Sequence, residues 1–286
     1  MVSLGRAEEF MWLNARLIDR LRFEHLFRDG DPGRVVTALR PYRNSDGGFG
    51  NALEPDLRGP GSQPVPVDLA LFLLDEAGAM DCDLLPGILG YLETITQPDG
   101  GVPFVLPSAI EFPHAPWWRP ERGTPGALNP TAAILAHLHK NGVQHTWVDH
   151  ATRFCWEKIE ALTQTSPYEL RAILAFLETA PERLRAERAW AMVGPMILGG
   201  GHVALDPAAK GDVHSPLAFA PRPGSLARSL FSGDVIANHL DATASAQQSD
   251  GGWGFNFSSW TPITTPEWRG WVTVESLVTL RDNGRL

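Results

Sequence analysis

The stretch "QQSDGGWGFNFSSW", Gln247 to Trp260, holds three glycines, one acid and two tryptophans. It is too irregular for a helix interior and too rich in glycine for a strand, so it reads as a built loop. Two close variants stand elsewhere in the chain, "RNSDGGFGNAL" from Arg43 and "TQPDGGVPFVL" from Thr96. Aligned on Asp-Gly-Gly, the acids fall at Asp46, Asp99 and Asp250, with separations of 53 and 151, the second nearly three times the first. Such a period predicts a repeat architecture. A fourth, degenerate copy is expected at "MILGGGHVALDP", from Gly199, whereas the copy due near Asp149 is replaced by helical sequence.

Between the loops the pattern is helical. "VPVDLALFLLDEAG" from Val65 puts Val67, Leu71 and Leu74 on one face and fills much of the rest with Ala70, Phe72 and Leu73, with Gly78 as a stop. A helix apolar nearly all round belongs inside, surrounded by protein. "NPTAAILAHLHKNG" from Asn129 and "TPEWRGWVTVESLVTLRDNG" from Thr265 repeat the design, ending at Gly142 and Gly284. The remaining helical segments are two-faced, and no segment alternates as a strand should. The expectation is therefore all-α: a single domain over residues 1–286, built as a closed or nearly closed α/α toroid with an inner and an outer layer, about ten to twelve helices in all. The long proline-containing connections 51–64, 102–129 and 255–266 are expected to converge over one mouth of the ring.

Gln247, Asp250, Gly251, Gly252, Trp253 and Gly254 match the repeat Q-x-x-D-G-G-W-G, so the chain resembles the terpenoid cyclase and protein prenyltransferase superfamily of α/α toroids, with repeats like those of squalene-hopene cyclase. The segment "TPEWRGWVTVESLV" occupies the place of that family's S-T-P-x-Q-T-A-W-A-L, while the other two loops keep Asp-Gly-Gly but carry Arg43 for the glutamine and Val102 for the aromatic. The resemblance covers about half of the chain. It implies that the loops are clamps: the glutamine bonds backbone groups at a helix end and the aromatic packs on the neighbouring unit. The family's D-x-D-D acid motif and D-D-x-x-D magnesium motif are absent, as is the prenyltransferase zinc set.

The formal charge of −9 and pI near 5.5 argue against nucleic-acid and anionic-membrane partners. Cys82 and Cys155 are far apart and without CxxC spacing, which fits a reduced compartment. No signal-peptide h-region or apolar run of about 18 residues appears, so a cytoplasmic protein without an integral membrane segment is expected.

The candidate chemistry lies in the connections. In "ALEPDLRGPGSQP" the carboxyls of Glu54 and Asp56, two apart in a loop, are the candidate catalytic pair, since a shared proton raises one pKa toward general-acid use. Arg58 beside them and, on the next connection, Glu111, His114, Trp117 and Trp118 are candidate substrate contacts, joined by Trp260, Trp268 and Trp271. Aromatic faces suit cations, sugars or flat apolar guests alike. His202, Asp206, Asp212 and His214 are metal-competent types without ligand spacing, so no metal and no cofactor is expected, and their segment, 199–232, reads as a lid. The leading expectation is a terpene-cyclase-like enzyme of lyase or isomerase type, in which Glu54 or Asp56 protonates an apolar isoprenoid-type small molecule in an aromatic-lined cavity. The alternatives are a carbohydrate-active α/α barrel of glycoside hydrolase or lyase type, and a non-catalytic toroid binding a small molecule or protein. The oligomeric state is left open.

Overall fold

The computed structural model describes residues 2–201, 203–211 and 213–286. Among them the chain is all-α: twelve α-helices, three short 3-10 turns and no strand, with three isolated bridges. The helices are α1 (Leu4–Asn14), α2 (Leu17–Phe27), α3 (Pro32–Leu39), α4 (Pro64–Glu76), α5 (Leu85–Ile95), α6 (Leu128–Lys140), α7 (Thr146–Glu160), α8 (Pro167–Thr179), α9 (Arg183–Gly199), α10 (Pro216–Phe219), α11 (Gly233–Ser245) and α12 (Thr264–Asp282). Their starts follow capping chemistry. The side chains of Ser3, Asp31, Ser166 and Ser232 each accept a first-turn backbone N–H, and prolines stand in the first turns of α3, α4 and α8.

The chain forms two compact units, Met1–Gly30 with Met192–Leu286, and Asp31–Ala191. In the second unit α6 packs against α4, α7 and α8, while α3 lies on α4 and α5 on α7. The inner-helix expectation holds for α6, which buries Thr131, Ala132, Ile134, Leu135, Ala136 and Leu138 over most of its circumference. Around it Trp156 and Phe176 meet edge to face, ring centroids 4.8 Å apart. In the first unit α12 packs against α1, α2 and α11, burying Val274, Leu277 and Leu280.

The three glycine loops are one structure made three times. Asn44, Gln97 and Gln248 each donate their N–H to the carbonyl four residues on, at Gly48, Gly101 and Gly252, at 2.9 Å in all three. Each carbonyl of the same residues takes back the N–H of Gly47, Gly100 or Gly251, at 2.9–3.1 Å. Asp46, Asp99 and Asp250 bond the N–H two residues on at 2.9, 3.3 and 3.1 Å, the local turn that aspartate favours. The middle glycine sits at φ 89°, 95° and 94° respectively, and in each loop it faces a foreign backbone, at Gly100 the His150 carbonyl oxygen, 3.3 Å from an added Cβ. A Cβ on Gly47 would stand 2.2 Å from the Gly87 carbonyl oxygen of α5, and one on Gly251 2.0 Å from that of Arg6 in α1.

The clamp role implied by the resemblance is visible at Gln247, whose Oε1 accepts the Ser3 N–H (2.8 Å) and whose Nε2 donates to the carbonyls of Ser3 and Gly251 (2.9 Å each). Trp253 is buried and donates Nε1–H to the Thr243 carbonyl at 2.7 Å. Each repeat helix also ends alike. Gly78, Gly142 and Gly284 adopt φ 62°, 64° and 68° after α4, α6 and α12, and the residue after each donates its N–H back across the turn. The expected fourth loop is corrected: Gly199 closes α9, Gly200 N–H bonds the Met196 carbonyl, and the glycines serve as a helix stop.

Candidate functional site

The connection leading from the first glycine loop into α4 begins under strain. Asn51 and Ala52, neither of them glycine, are held in succession at φ 55° and 61°. Such conformations cost about 1–3 kcal/mol each and persist where the surroundings over-determine them. Asn51 is fixed by its N–H to the Gly59 carbonyl (3.0 Å) and its Nδ2 to Asn44 Oδ1 (3.3 Å). The strained pair turns the chain inward, so that Glu54 and Asp56 are only 4% and 3% exposed. Glu54 Oε1 accepts the Asp56 N–H at 3.2 Å, and Arg58 Nη1 donates to the Pro55 carbonyl at 3.1 Å.

This segment runs antiparallel to the second connection. Arg58 N–H bonds the Pro113 carbonyl (3.1 Å), Ala115 N–H bonds the Asp56 carbonyl (2.9 Å), and Leu57 bridges His114. The structure thus pairs residues 56–58 with 113–115, which sets Asp56 and Arg58 beside His114, with Glu54 just before the first strip and Glu111, Trp117 and Trp118 in the turns that flank the second. His114 Nδ1 lies 2.7 Å from the Phe112 carbonyl. The two tryptophans part as their adjacency requires. Trp118 is buried and stacks on Phe104 at 4.9 Å, whereas Trp117 is 45% exposed; Glu111 is exposed as well.

Beside the strips lies a small dent of about 10 Å³, with Gly50, Leu57, Pro66, Ala109 and Phe112 among its walls. Its polar residues satisfy one another: Gln63 Nε2 donates to Ser108 Oγ at 2.9 Å and Gln63 Oε1 accepts the Leu106 N–H at 2.8 Å. Its solvent-facing surface is part polar and part apolar, and with room for about one water it lies far below the usual range of small-molecule pockets, about 300–1,000 Å³.

Trp260, Trp268 and Trp271 belong to the first unit. Trp268 meets Phe257 edge to face at 5.2 Å, and Trp271 lies under the Arg22 guanidinium at 4.5 Å, so both are engaged in packing there. Trp260 is half-buried, with a shielded Nε1. Of the metal-competent set, His202 and Asp212 lie outside the described residues. Asp206 bonds the Ala208 N–H at 2.8 Å and His214 packs on Phe219 with ring centroids 6.0 Å apart. The segment read as a lid is tethered within its own unit, by His239 Nε2 at 3.0 Å from the Leu205 carbonyl and Asn256 Nδ2 bonding the Val213 carbonyl at 2.7 Å.

Two groups of residues went unsingled in the sequence. Arg22, 1% exposed, pairs with Glu275 and lies over the ring of Trp271. Asp68, Asp75 and His137 form a cluster between α4 and α6. Asp75 Oδ2 lies 3.3 Å from His137 Nδ1 and 2.9 Å from Lys140 Nζ, and Asp75 Oδ1 accepts from Asn141 Nδ2 at 2.8 Å. Asp68 Oδ1 stands 3.7 Å from His137 Nε2 and is shielded, without a hydrogen-bond partner. Burial pushes the Asp68 carboxyl up to about 6, against the opposing charges of His137 and Arg171. Burial also works against ionised Asp75, but the bonds from His137, Asn141 and Lys140 prevail and hold it at about 2. One sign was present in the sequence: Asp68 is the acid inside the otherwise apolar run "VPVDLALFLL".

No family model matches the chain, and no curated protein matches it. The fold has a solved counterpart. A crystal structure of a protein from Actinoplanes aligns over 98% of this chain and 89% of that one, with a TM-score of 0.58 and 16% sequence identity. At that identity the likeness speaks for the fold alone. Among the described residues no helix is long and apolar enough to cross a membrane.

Proposed function

We propose that the protein is a terpene-cyclase-like enzyme that protonates an apolar, isoprenoid-type small molecule, with Glu54 and Asp56 supplying the acid chemistry on an α/α-toroid scaffold. The observation that carries the reading is the strained turn at Asn51 and Ala52, which holds two carboxyls two residues apart and almost fully out of water. Two carboxyls so close in the chain and so shielded are the candidate acid pair, and backbone strain of this kind gathers at working sites. Exposed Trp117 offers an aromatic face for a developing cation. Arg58 and His114 lie on the two paired segments, and they are assigned, with Glu111, to polar groups of a substrate.

The test is turnover of a panel of polyprenyl diphosphates and free polyenes by the wild type, Glu54→Gln and Asp56→Asn, with products read by mass spectrometry and folding by circular dichroism. The expected result is cyclised or rearranged product from the wild type and a loss of roughly a hundredfold or more in one of the folded variants. Full turnover by both variants clears the pair, and no product from the wild type across the panel overturns the isoprenoid reading.

A further inference from the structure

The cluster between α4 and α6 plays no part in that reading, and its geometry is directional. Asp68 and Asp75 lie seven residues apart on α4, two turns along one face, and His137 of α6 reaches between them with one ring nitrogen toward each. The two ends differ. Asp75 is anchored by three donors, from His137, Lys140 and Asn141. Asp68 has a shielded Oδ1 opposite Nε2 at 3.7 Å, beyond hydrogen-bond length and within ion-pair reach, while its side chain keeps 20% exposure on the other side. An ionised carboxylate at Nδ1 selects the tautomer with the proton on that nitrogen, which leaves the Nε2 lone pair facing Asp68.

We infer that Asp68, His137 and Asp75 form a proton-storing acid–base site, in which Asp75 orients the imidazole and the Asp68 carboxyl opposite Nε2 takes up and releases the proton. The charged groups that face it are Lys140 on α6 and Arg171 on α8. Lys140 is committed to Asp75 at 2.9 Å. The raised carboxyl of Asp68 fits the assignment: burial holds it protonated into a range where an ordinary surface aspartate is fully ionised. The chemistry offered is delivery of one proton to a weak base at the partly exposed edge of Asp68. That leaves the carboxylate, which regains its proton from solvent at the same partly exposed edge. The proton site stands without the proposed function above; only a role for it in turnover would rest on that reading.

The test is heteronuclear NMR of the full chain across pH 4–8, following aspartate carboxyl carbons and histidine ring nitrogens, in the wild type, Asp68→Asn and Asp75→Asn. One carboxyl is expected to titrate about two pH units above the ordinary aspartate value, with its signal missing from Asp68→Asn, and the neutral His137 ring is expected to carry its proton on Nδ1. In Asp75→Asn that preference should collapse to a mixture of tautomers. An Asp68 carboxyl titrating at the ordinary value, or a wild-type His137 ring protonated on Nε2, overturns the inference even where the variants fail to fold. Because no substrate is used, failure here is distinct from failure of the turnover panel.

Discussion

At the residue scale, the left-handed region of backbone space separates two kinds of position. Gly47 and Gly251 occupy it because nothing else fits: a Cβ there would press on a carbonyl oxygen of a neighbouring helix at 2.2 or 2.0 Å. Ala52 occupies it at φ 61° with a side chain in place, which is strain retained rather than avoided. Glycine substitutions in the two settings therefore act in opposite directions. Gly251→Ala should destabilise by about 3 kcal/mol or more, because the loop must lift off α1. Ala52→Gly should stabilise by about 1 kcal/mol or less, relief of strain being partly offset by the freer unfolded chain. Thermal midpoints of both variants check this; an Ala52→Gly chain less stable than the wild type would show that the turn at 51–52 is relaxed. The Asp-Gly-Gly turns were legible in the sequence because aspartate's local bond and glycine's positive φ are properties of the residues themselves. The strain at Ala52 was not, since alanine does not ask for it.

At the element scale, α4 carries two acids on one face whose effects on stability oppose each other. Asp68 is raised from 3.8 to about 6, so the native state binds its proton more tightly than the unfolded chain. Its contribution is full below about pH 4 and is lost as pH rises through 6, a loss of about 3 kcal/mol. Asp75 is lowered from 3.8 to about 2, so its contribution is full above about pH 4 and is lost as pH falls through 2, about 2 kcal/mol. Asp68→Asn should thus gain stability over the wild type at pH 7–8 and lose that advantage by pH 4. Asp75→Asn should be weaker than the wild type at pH 7, with the gap closing as the pH is lowered toward 2. Denaturant unfolding at several pH values measures both, and parallel pH trends for the two variants would contradict the assignment. The helix itself was readable from its apolar periodicity and the stop at Gly78. Its inward acid was visible only as an anomaly, because what Asp68 does depends on His137, which α6 supplies.

At the scale of the whole molecule, the first unit joins the two ends of the chain. Ser3 holds Gln247 across 244 residues, Phe10 packs on Gly252, and Arg22 pairs with Glu275. Removing residues 2–30 would strip the unit of Phe10, Met11, Ile18, Leu21 and Phe23, all buried. At about 2 kcal/mol for each such side chain, the loss rivals the whole stability of an ordinary domain. The truncated chain should lose helicity beyond the deleted segment and become protease-sensitive between residues 192 and 286, and a peptide of residues 2–30 added in trans should restore protection. Unchanged protease resistance would show that the C-terminal part stands by itself. The sequence by itself determined the all-α class, the three glycine turns and the glycine stops of α4, α6 and α12, because helix period, capping and positive φ are settled within a few residues of the chain. Only the tertiary structure decided that Glu54 and Asp56 lie beside the 113–115 strip, and that an imidazole separates Asp68 from Asp75. Burial and charge come from whatever the fold sets opposite a group, and a residue distant along the chain leaves no mark on its partner's neighbours.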